Sequence, residues 1–403
     1  MKLMVVGHPF LLAYNQQKYV AMKRLDKNLS LRLVVPTRWC ERFAFTDYQI
    51  HGELAAEEIV PLTAHFAKTH MTYMHAPGTI AATLRSFKPD VIHIEEDPQA
   101  FISLEVIALR QKFAPRAALS LFTWDNILRP RRFPLGAAKK KLRAYSLRRT
   151  SLMICGNRQA AELLRAEGFF GGAVEILPQY GLDIAEHMPG TEPLLREELG
   201  LQTGPVIGYV GQMVERKGLR LLFEALRKLL HRPWKLLLVG SGPLEQEIRQ
   251  QWMEKLPGRV VLVPAVPYEQ VNRYFRCLDI FVLASQSTPT WKEQFGLALA
   301  QAMMSGIACV GSSSGAIPEV LGPGGLIFDE EQSDDLQKNL TTLLDSPVLR
   351  KQLGDEGRRF ALQHYTRERV AAQYLAVFDR MRTRPSGQPG AESKLDEFQP
   401  VAS

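Results

Sequence analysis

The feature that most restricts this chain is the alternation of short apolar runs with longer segments whose apolar residues recur at helical spacing. Runs such as "KLMVVG", "LRLVVP", "DVIHI", "AALSLFT", "SLMICG" and "VEILP" fill the first half. "VIGYVG", "WKLLLVG", "RVVLVPA", "DIFVLAS", "IACVGS" and "GGLIFD" fill the second. Strands that are continuously apolar rather than alternating are buried on both faces, as in a parallel sheet covered by helices. Between them lie patterns such as "GLRLLFEALRKLL", with leucines on one face and basic residues on the other. Repeated strand–helix order predicts parallel βαβ units and excludes sandwiches and bundles.

A chain of 403 residues exceeds what one core usually serves, so two domains are expected. The expected division is the Pro- and Gly-containing polar stretch "DIAEHMPGTEPLLREELGLQTGP", with a first domain over residues 1–190 and a second over 200–360. A last amphipathic helix over 364–382 is expected to pack back on the first domain. The polar, Pro/Gly/Ser-rich 383–403 reads as a disordered tail. No apolar run is long enough to span a bilayer. The start is broken by His8, Pro9 and the polar 15–17 before it resembles a secretory signal. Cys40, Cys155, Cys277 and Cys309 are scattered without Cys-x-x-Cys spacing and read as buried free thiols of a cytoplasmic protein. The net charge of +8 favours an anionic partner without choosing among nucleic acid, lipid and phosphorylated substrates.

Ligands of doubly wound sheets bind at the carboxyl ends of the strands, and three stretches of the second half fall there. In "VGSGPLE", Gly240 and Gly242 begin a dinucleotide fingerprint whose third glycine is replaced by Glu245; a tight strand-to-helix turn is the simpler reading. In "GYVGQMVERKGL", Gly208 and Gly211 permit close backbone approach, and Arg216 and Lys217 put positive charge before a helix. That suits a diphosphate, and equally a solvated basic helix start. In "TPTWKEQFGLALAQAM", Glu293 precedes a helix entry at Gly296, and Gln301 follows two turns later. A carboxylate there accepts hydrogen bonds from sugar hydroxyls, or simply caps the helix.

Taken together and in this order, the three stretches resemble the donor-binding half of the retaining family 4 glycosyltransferases of group 1. The resemblance runs over about 205–330, through "SSSGAIPEVLGPGGLIFD", and more weakly over 85–185. It implies a GT-B fold, α/β, with two doubly wound Rossmann-like domains facing a central cleft. It also implies transfer of a sugar from a nucleotide diphosphate sugar to a glycan or lipid-linked acceptor, without a cofactor or metal ion. On this resemblance Lys217 neutralises the diphosphate and Glu293 holds the sugar hydroxyls. Gln294, Phe295, Gly296 and Leu297 form the backbone that follows, and Gly211, Gly242 and Val266 line the donor site. Two positions depart from the family: its arginine partner of the lysine falls on Gln212, with Arg216 the nearest substitute, and its ribose-binding second glutamate falls on Gln301. A His-x-His turn of several members falls on His93 and Glu95, which makes Glu95 a candidate acceptor for a sugar hydroxyl. Two alternatives to that role are a metal site and an exposed acidic turn over Glu95, Glu96 and Asp97.

Residues 129–150, "RPRRFPLGAAKKKLRAYSLRRT", hold nine basic residues and no acidic one. Leu135, Leu142, Tyr145, Leu147 and Phe133 interleave them. This is a solvated basic face or a peripheral contact with anionic membrane; nucleic acid is not expected, because no recognition motif accompanies the charge. Two other functions fit the resemblance: a nucleotide-sugar epimerase of the same fold, and a non-catalytic nucleotide-sugar-binding protein, which Gln212 and Gln301 prompt.

Overall fold

The computed structural model describes residues 1–41, 44–127, 135–168 and 172–383. Of the expected tail over 383–403 only Thr383 is described, as the end of the C-terminal helix, and residues 129–134 of the basic stretch also lie outside the described residues. The chain divides into two units, Met1–Gly181 with the C-terminal helix Arg367–Thr383, and Leu182–Thr366. The division thus precedes the polar stretch around 185–203, which folds with the second unit because its short helix Pro193–Glu198 buries Leu195 in that unit's core.

In the first unit, strands β1 (Lys2–Val6), β2 (Ser30–Pro36), β3 (Ile59–Leu62), β4 (Val91–Ile94), β5 (Ala118–Thr123), β6 (Leu152–Cys155) and β7 (Ala173–Ile176) form one seven-stranded sheet. Its order is β7-β6-β5-β4-β1-β2-β3, with every pairing parallel. Helices α1 (Gln17–Leu25), α2 (Pro77–Phe87), α3 (Phe101–Phe113), α4 (Leu135–Leu147) and α5 (Arg158–Ala166) belong to this unit. The period-2 pleat explains why both faces are apolar. Leu3 and Val5 pack with Tyr374 and Phe378 of the C-terminal helix. Met4 and Val6 pack on the other face with Ile80, Leu84, Ile102 and Val106 of α2 and α3.

The second unit repeats the plan. Strands β8 (Val206–Val210), β9 (Lys235–Val239), β10 (Val260–Val263), β11 (Ile280–Leu283), β12 (Ala308–Ser312) and β13 (Gly325–Phe328) run parallel in the order β10-β9-β8-β11-β12-β13. Around them lie α6 (Leu219–Arg227), α7 (Tyr268–Phe275), α8 (Leu297–Met304), α9 (Ser333–Asp345) and α10 (Pro347–His364). The order reverses between β8 and β11. Loops leaving these two strands therefore diverge to opposite faces and open a crevice at their carboxyl ends. Cys155, Cys277 and Cys309 are buried, whereas Cys40 is exposed because the β-hairpin Arg38–Glu41/Ala44–Asp47 carries it away from the sheet.

Candidate functional site

The crevice of the second unit is built from the loop after β8 and the loop after β11. The first ends at Gly218, a left-handed residue (φ +66°) between a turn and α6, where a Cβ would lie 1.8 Å from the carbonyl oxygen of Ala284. Only glycine permits that approach, and it brings Lys217 beside the end of β11. The Gln286 N–H donates to the Arg216 carbonyl at 2.9 Å and locks the two loops together.

Lys217 Nζ consequently lies 2.5 Å from Glu293 Oε2, and Ser285 Oγ donates to the same oxygen at 2.7 Å. Glu293 is buried and Lys217 half-buried. The indole of Trp291 lies 5.1 Å from Lys217 Nζ and 5.0 Å from the exposed Arg216 guanidinium, so two cations share one aromatic face. Ala316 N–H donates to the Glu293 carbonyl at 3.0 Å and fixes the carboxylate's backbone from the loop after β12.

Gly296, at φ +81°, caps α8 without any side-chain hydrogen bond to the helix start. Leu299 and Ala300 N–H already donate to the Gly296 carbonyl at 2.9 and 3.2 Å, so the Leu297 and Ala298 N–H groups at the helix start carry the positive end of the helix dipole. Phe295 turns inward, edge-on to Tyr365 at 5.4 Å, so it holds the loop through packing and leaves the backbone to act. Gln294 is half-buried and Leu297 exposed.

The other expected positions line the neighbouring strand ends. Gly242 faces the loop after β8 so closely that a Cβ would lie 2.4 Å from the Met213 carbonyl, and Met213 exchanges backbone hydrogen bonds with Ser241 and Leu244 at 3.0 Å each. The tight-turn reading of "VGSGPLE" is the observed one. Gly211 donates to Val239, and the Gln212 carbonyl accepts the Tyr209 hydroxyl at 2.6 Å. Val266 packs half-buried against the core from the loop after β10. Gln301 is buried on α8 and its Nε2 donates to the Tyr268 hydroxyl of α7 at 2.9 Å. Sequence reasoning passed over Ser285, Trp291 and Tyr268. Ser285 and Trp291 stand eight and two positions before Glu293, on the same strand-end loop, which is the signal that finds them. Nothing in the sequence ties Tyr268 to Gln301.

In the first unit the structure corrects the reading of Glu95. It is neither an exposed acidic turn nor a free acceptor for a sugar, since its side chain is fully buried. Oε1 pairs with Lys18 Nζ at 2.6 Å and accepts the Tyr19 hydroxyl. Gln179 Nε2 donates to Oε2 at 2.8 Å, and His93 Nε2 lies 3.2 Å from Oε1. Burial opposes the charge on Glu95, but the ammonium of Lys18 and the His93 ring outweigh it and hold the carboxyl at about 2. Burial lowers His93 against the pull of Glu95, and lowers Lys18 against the same pull. Glu96 is buried as well, accepting from the His8 N–H and the Tyr73 hydroxyl. Among the described residues no cluster of His, Cys, Asp and Glu forms a metal-binding group.

The basic stretch is only partly a solvated face. Arg143 is buried, paired with Glu167 at 2.6 Å and donating to Gln99 at 3.0 Å. Leu147 is in the core, and Tyr145 is covered by the Arg149 guanidinium at 3.8 Å. These residues are committed to the fold, so shallow apolar insertion through them is ruled out. Lys140, Lys141, Leu142 and Arg148 remain exposed; Phe133 lies outside the described residues. Among the described residues no helix is long and apolar enough to cross a membrane.

The profile of the family described as "Glycosyl transferases group 1" matches residues 192–360, which span this crevice. The chain is 30% identical over 207 residues to the GDP-mannose-dependent monoacylated alpha-(1-6)-phosphatidylinositol monomannoside mannosyltransferase of Corynebacterium glutamicum, covering 49% of this chain and 54% of that one. It is 26% identical over 200 residues to spore coat protein SA of Bacillus subtilis, covering 47% and 52%. The chain thus spans about half the length of these curated relatives. Among solved structures, Anabaena Alr3699/HepE in complex with UDP aligns with a TM-score of 0.70 at 18% identity, over 94% of this chain and 100% of that one. A glycosyltransferase from Rickettsia africae ESF-5 aligns with a TM-score of 0.71 at 14% identity, over 95% and 99%. The fold is GT-B.

Proposed function

We propose, from the match of residues 192–360 to the glycosyl transferases group 1 family, that the protein transfers a sugar from a nucleotide diphosphate sugar to an acceptor as a retaining family 4 enzyme. The observation that carries the proposal is the Lys217–Glu293 contact of 2.5 Å beside the uncapped first turn of α8. Cleaving the donor's glycosidic bond puts negative charge on the departing diphosphate. Lys217, the α8 N–H groups and Arg216 are donors fixed beforehand around one point, which is the arrangement that stabilises such charge. Glu293, oriented by Ser285, accepts hydrogen bonds from the transferred sugar. Gln301 and Tyr268 serve the ribose, where an amide still donates and accepts.

The first unit takes the acceptor, a glycan or a lipid-linked sugar. The Corynebacterium relative's printed name, with its phosphatidylinositol acceptor, supports the lipid-linked class. Exposed Lys140, Lys141 and Arg148 would hold the protein peripherally on an anionic cytoplasmic membrane. In this reading the protein is cytoplasmic and needs no cofactor. Glu95 has no catalytic part; it positions the end of β4.

The test is incubation with UDP- and GDP-hexoses and simple glycoside or lipid acceptors, with the product's anomeric configuration read by NMR. An α-linked product from an α-linked donor is expected. An inverted product, or hexose epimerisation without acceptor, would overturn the reading.

A further inference from the structure

The first unit has a topological switch point of its own. The chain runs outward from β1 through β2 and β3, then crosses to β4 on the other side of β1. Loops leaving β1 and β4 therefore diverge and open a crevice at their carboxyl ends. His8 leaves β1 there, and Glu96 and Asp97 leave β4. The β-hairpin carrying Trp39 and the loop carrying His70 and Tyr73 pack their rings against His8.

His8 is held by one edge. Its Nδ1 lies 2.6 Å from Glu96 Oε1, which also accepts the His8 backbone N–H at 2.7 Å and the Tyr73 hydroxyl at 2.8 Å. A carboxylate only accepts, so Nδ1 carries the ring proton and Nε2 is left with its lone pair. Trp39 stacks on the ring at 4.7 Å and His70 at 5.9 Å, which fixes its plane. Nε2 itself has no partner among the described residues. Unlike the buried, unpaired Nε2 of His75 it is not sealed, and the His8 side chain is 26% exposed.

Asp97 is 26% exposed as well, and among the described residues its carboxylate meets only His70 Nε2, 3.5 Å away. Burial raises its carboxyl, but His70, then Arg143 and Lys139 at longer range, bring it below its ordinary value. Arg143 is itself engaged by Glu167 and Gln99. The crevice thus offers a ligand two fixed acceptors, a nitrogen lone pair and a carboxylate, with His70 against both. Hydroxyl groups supply the matching donors without charge, whereas a phosphate or carboxylate brings only acceptors.

We propose that this crevice binds an uncharged glycosyl ring, one hydroxyl donating to His8 Nε2 and another to Asp97. His8 is then a specificity-determining residue toward the acceptor, and Glu96 the residue that positions it. The ligand's class rests on the glycosyl-transfer reading; the site lies in the first unit alone.

The experiment uses the full chain with isotopically labelled histidine and reads the ring nitrogens by NMR. The His8 signals are those absent from His8→Phe, which keeps an aromatic ring against Trp39. The probes are the neutral methyl glucoside, galactoside and mannoside, with methyl glucuronide as the anionic match. In the free chain His8 Nδ1 is expected to be protonated and Nε2 bare. At least one neutral glycoside should move the Nε2 signal upfield, as for a nitrogen that accepts a hydrogen bond, and methyl glucuronide should leave it in place. Asp97→Asn, unfolding at the parental temperature, should bind that glycoside at least about tenfold more weakly, the loss of one hydrogen bond to a charged group. Four results would overturn the proposal: the proton on Nε2 in the free chain, no movement with any neutral glycoside, equal movement with methyl glucuronide, or parental affinity in Asp97→Asn. Titrating UDP, GDP and ADP into the same samples separates the two readings. Nucleotide binding without a glycoside response sinks this inference alone, and a glycoside response without nucleotide binding sinks the donor site and keeps this one.

Discussion

Replacing Glu95 with alanine removes the counterion of Lys18, whose side chain is 1% exposed and lies 3.9 Å from the Tyr374 ring centre. The ammonium would be left with an aromatic face and no carboxylate. Breaking a buried pair from one side costs about 3–5 kcal/mol, because the remaining charge stays desolvated. For a domain of about 150–250 residues, each kcal/mol moves the melting temperature by roughly 2–4 °C, so a loss of about 6–20 °C is expected for the first unit. Adding Lys18→Met should restore much of it, since the orphan charge goes too. The intact pair is worth less than the Glu95 carboxyl alone suggests, because burial lowers Lys18 despite that carboxylate. The pH dependence has a definite sign. Glu95 is held below its ordinary value of 4.5, at about 2. Its contribution is therefore complete above pH 4.5 and is lost as pH falls through 2. Calorimetry of Glu95→Ala, Lys18→Met and the double variant decides. A shift under about 2 °C for Glu95→Ala, or no recovery in the double variant, would refute the buried pair and return Glu95 to the candidates for sugar contact.

Gln212→Arg should tighten binding of the nucleoside diphosphate product several-fold by titration calorimetry, since it adds a cation at a strand end that already holds Lys217; weaker binding would place Gln212 away from the phosphates. Gly218→Ala should lower the melting temperature of the second unit and abolish donor binding, because its Cβ would lie 1.8 Å from the Ala284 carbonyl oxygen; parental stability would contradict the locked loop. Lys140→Glu, Lys141→Glu and Arg148→Glu together should cut sedimentation with anionic liposomes, each charge contributing on the order of 1 kcal/mol, with the loss largest at low salt; equal binding by parent and variant would leave α4 a solvated face.

The sheets were legible because continuously apolar runs such as "KLLLV" and "IFVL" have few other uses, and the strand-end position of Lys217 and Glu293 followed from them. The edge strand Ile59–Leu62 and the hairpin carrying Cys40 were not, since "IVPL" contains a proline and its pairing depends on β2 far away in the chain. Glu95 was misplaced for a related reason. Three consecutive acids look solvated in one dimension, and only the fold brings Lys18, Tyr19 and Gln179 from two distant segments to bury Glu95. Arg143 reads as one charge in a basic run until Glu167, 24 residues on, pairs with it. The engagement of Gln301 with Tyr268 is equally non-local, 33 residues apart across two helices.

The central claim is that Lys217 and Glu293 work on the leaving diphosphate and the transferred sugar. Its most direct measurement is the single-turnover rate of sugar transfer by Lys217→Ala and Glu293→Gln at saturating donor, with folding checked by calorimetry. Removing one preorganised stabilising group typically costs roughly 100- to 1,000-fold. Losses of that size are predicted for Lys217→Ala, together with weakened binding of the diphosphate product. Glu293→Gln should retain product binding and still lose rate, because it contacts the sugar. Folded variants that transfer sugar within a few-fold of the parental rate would contradict the account.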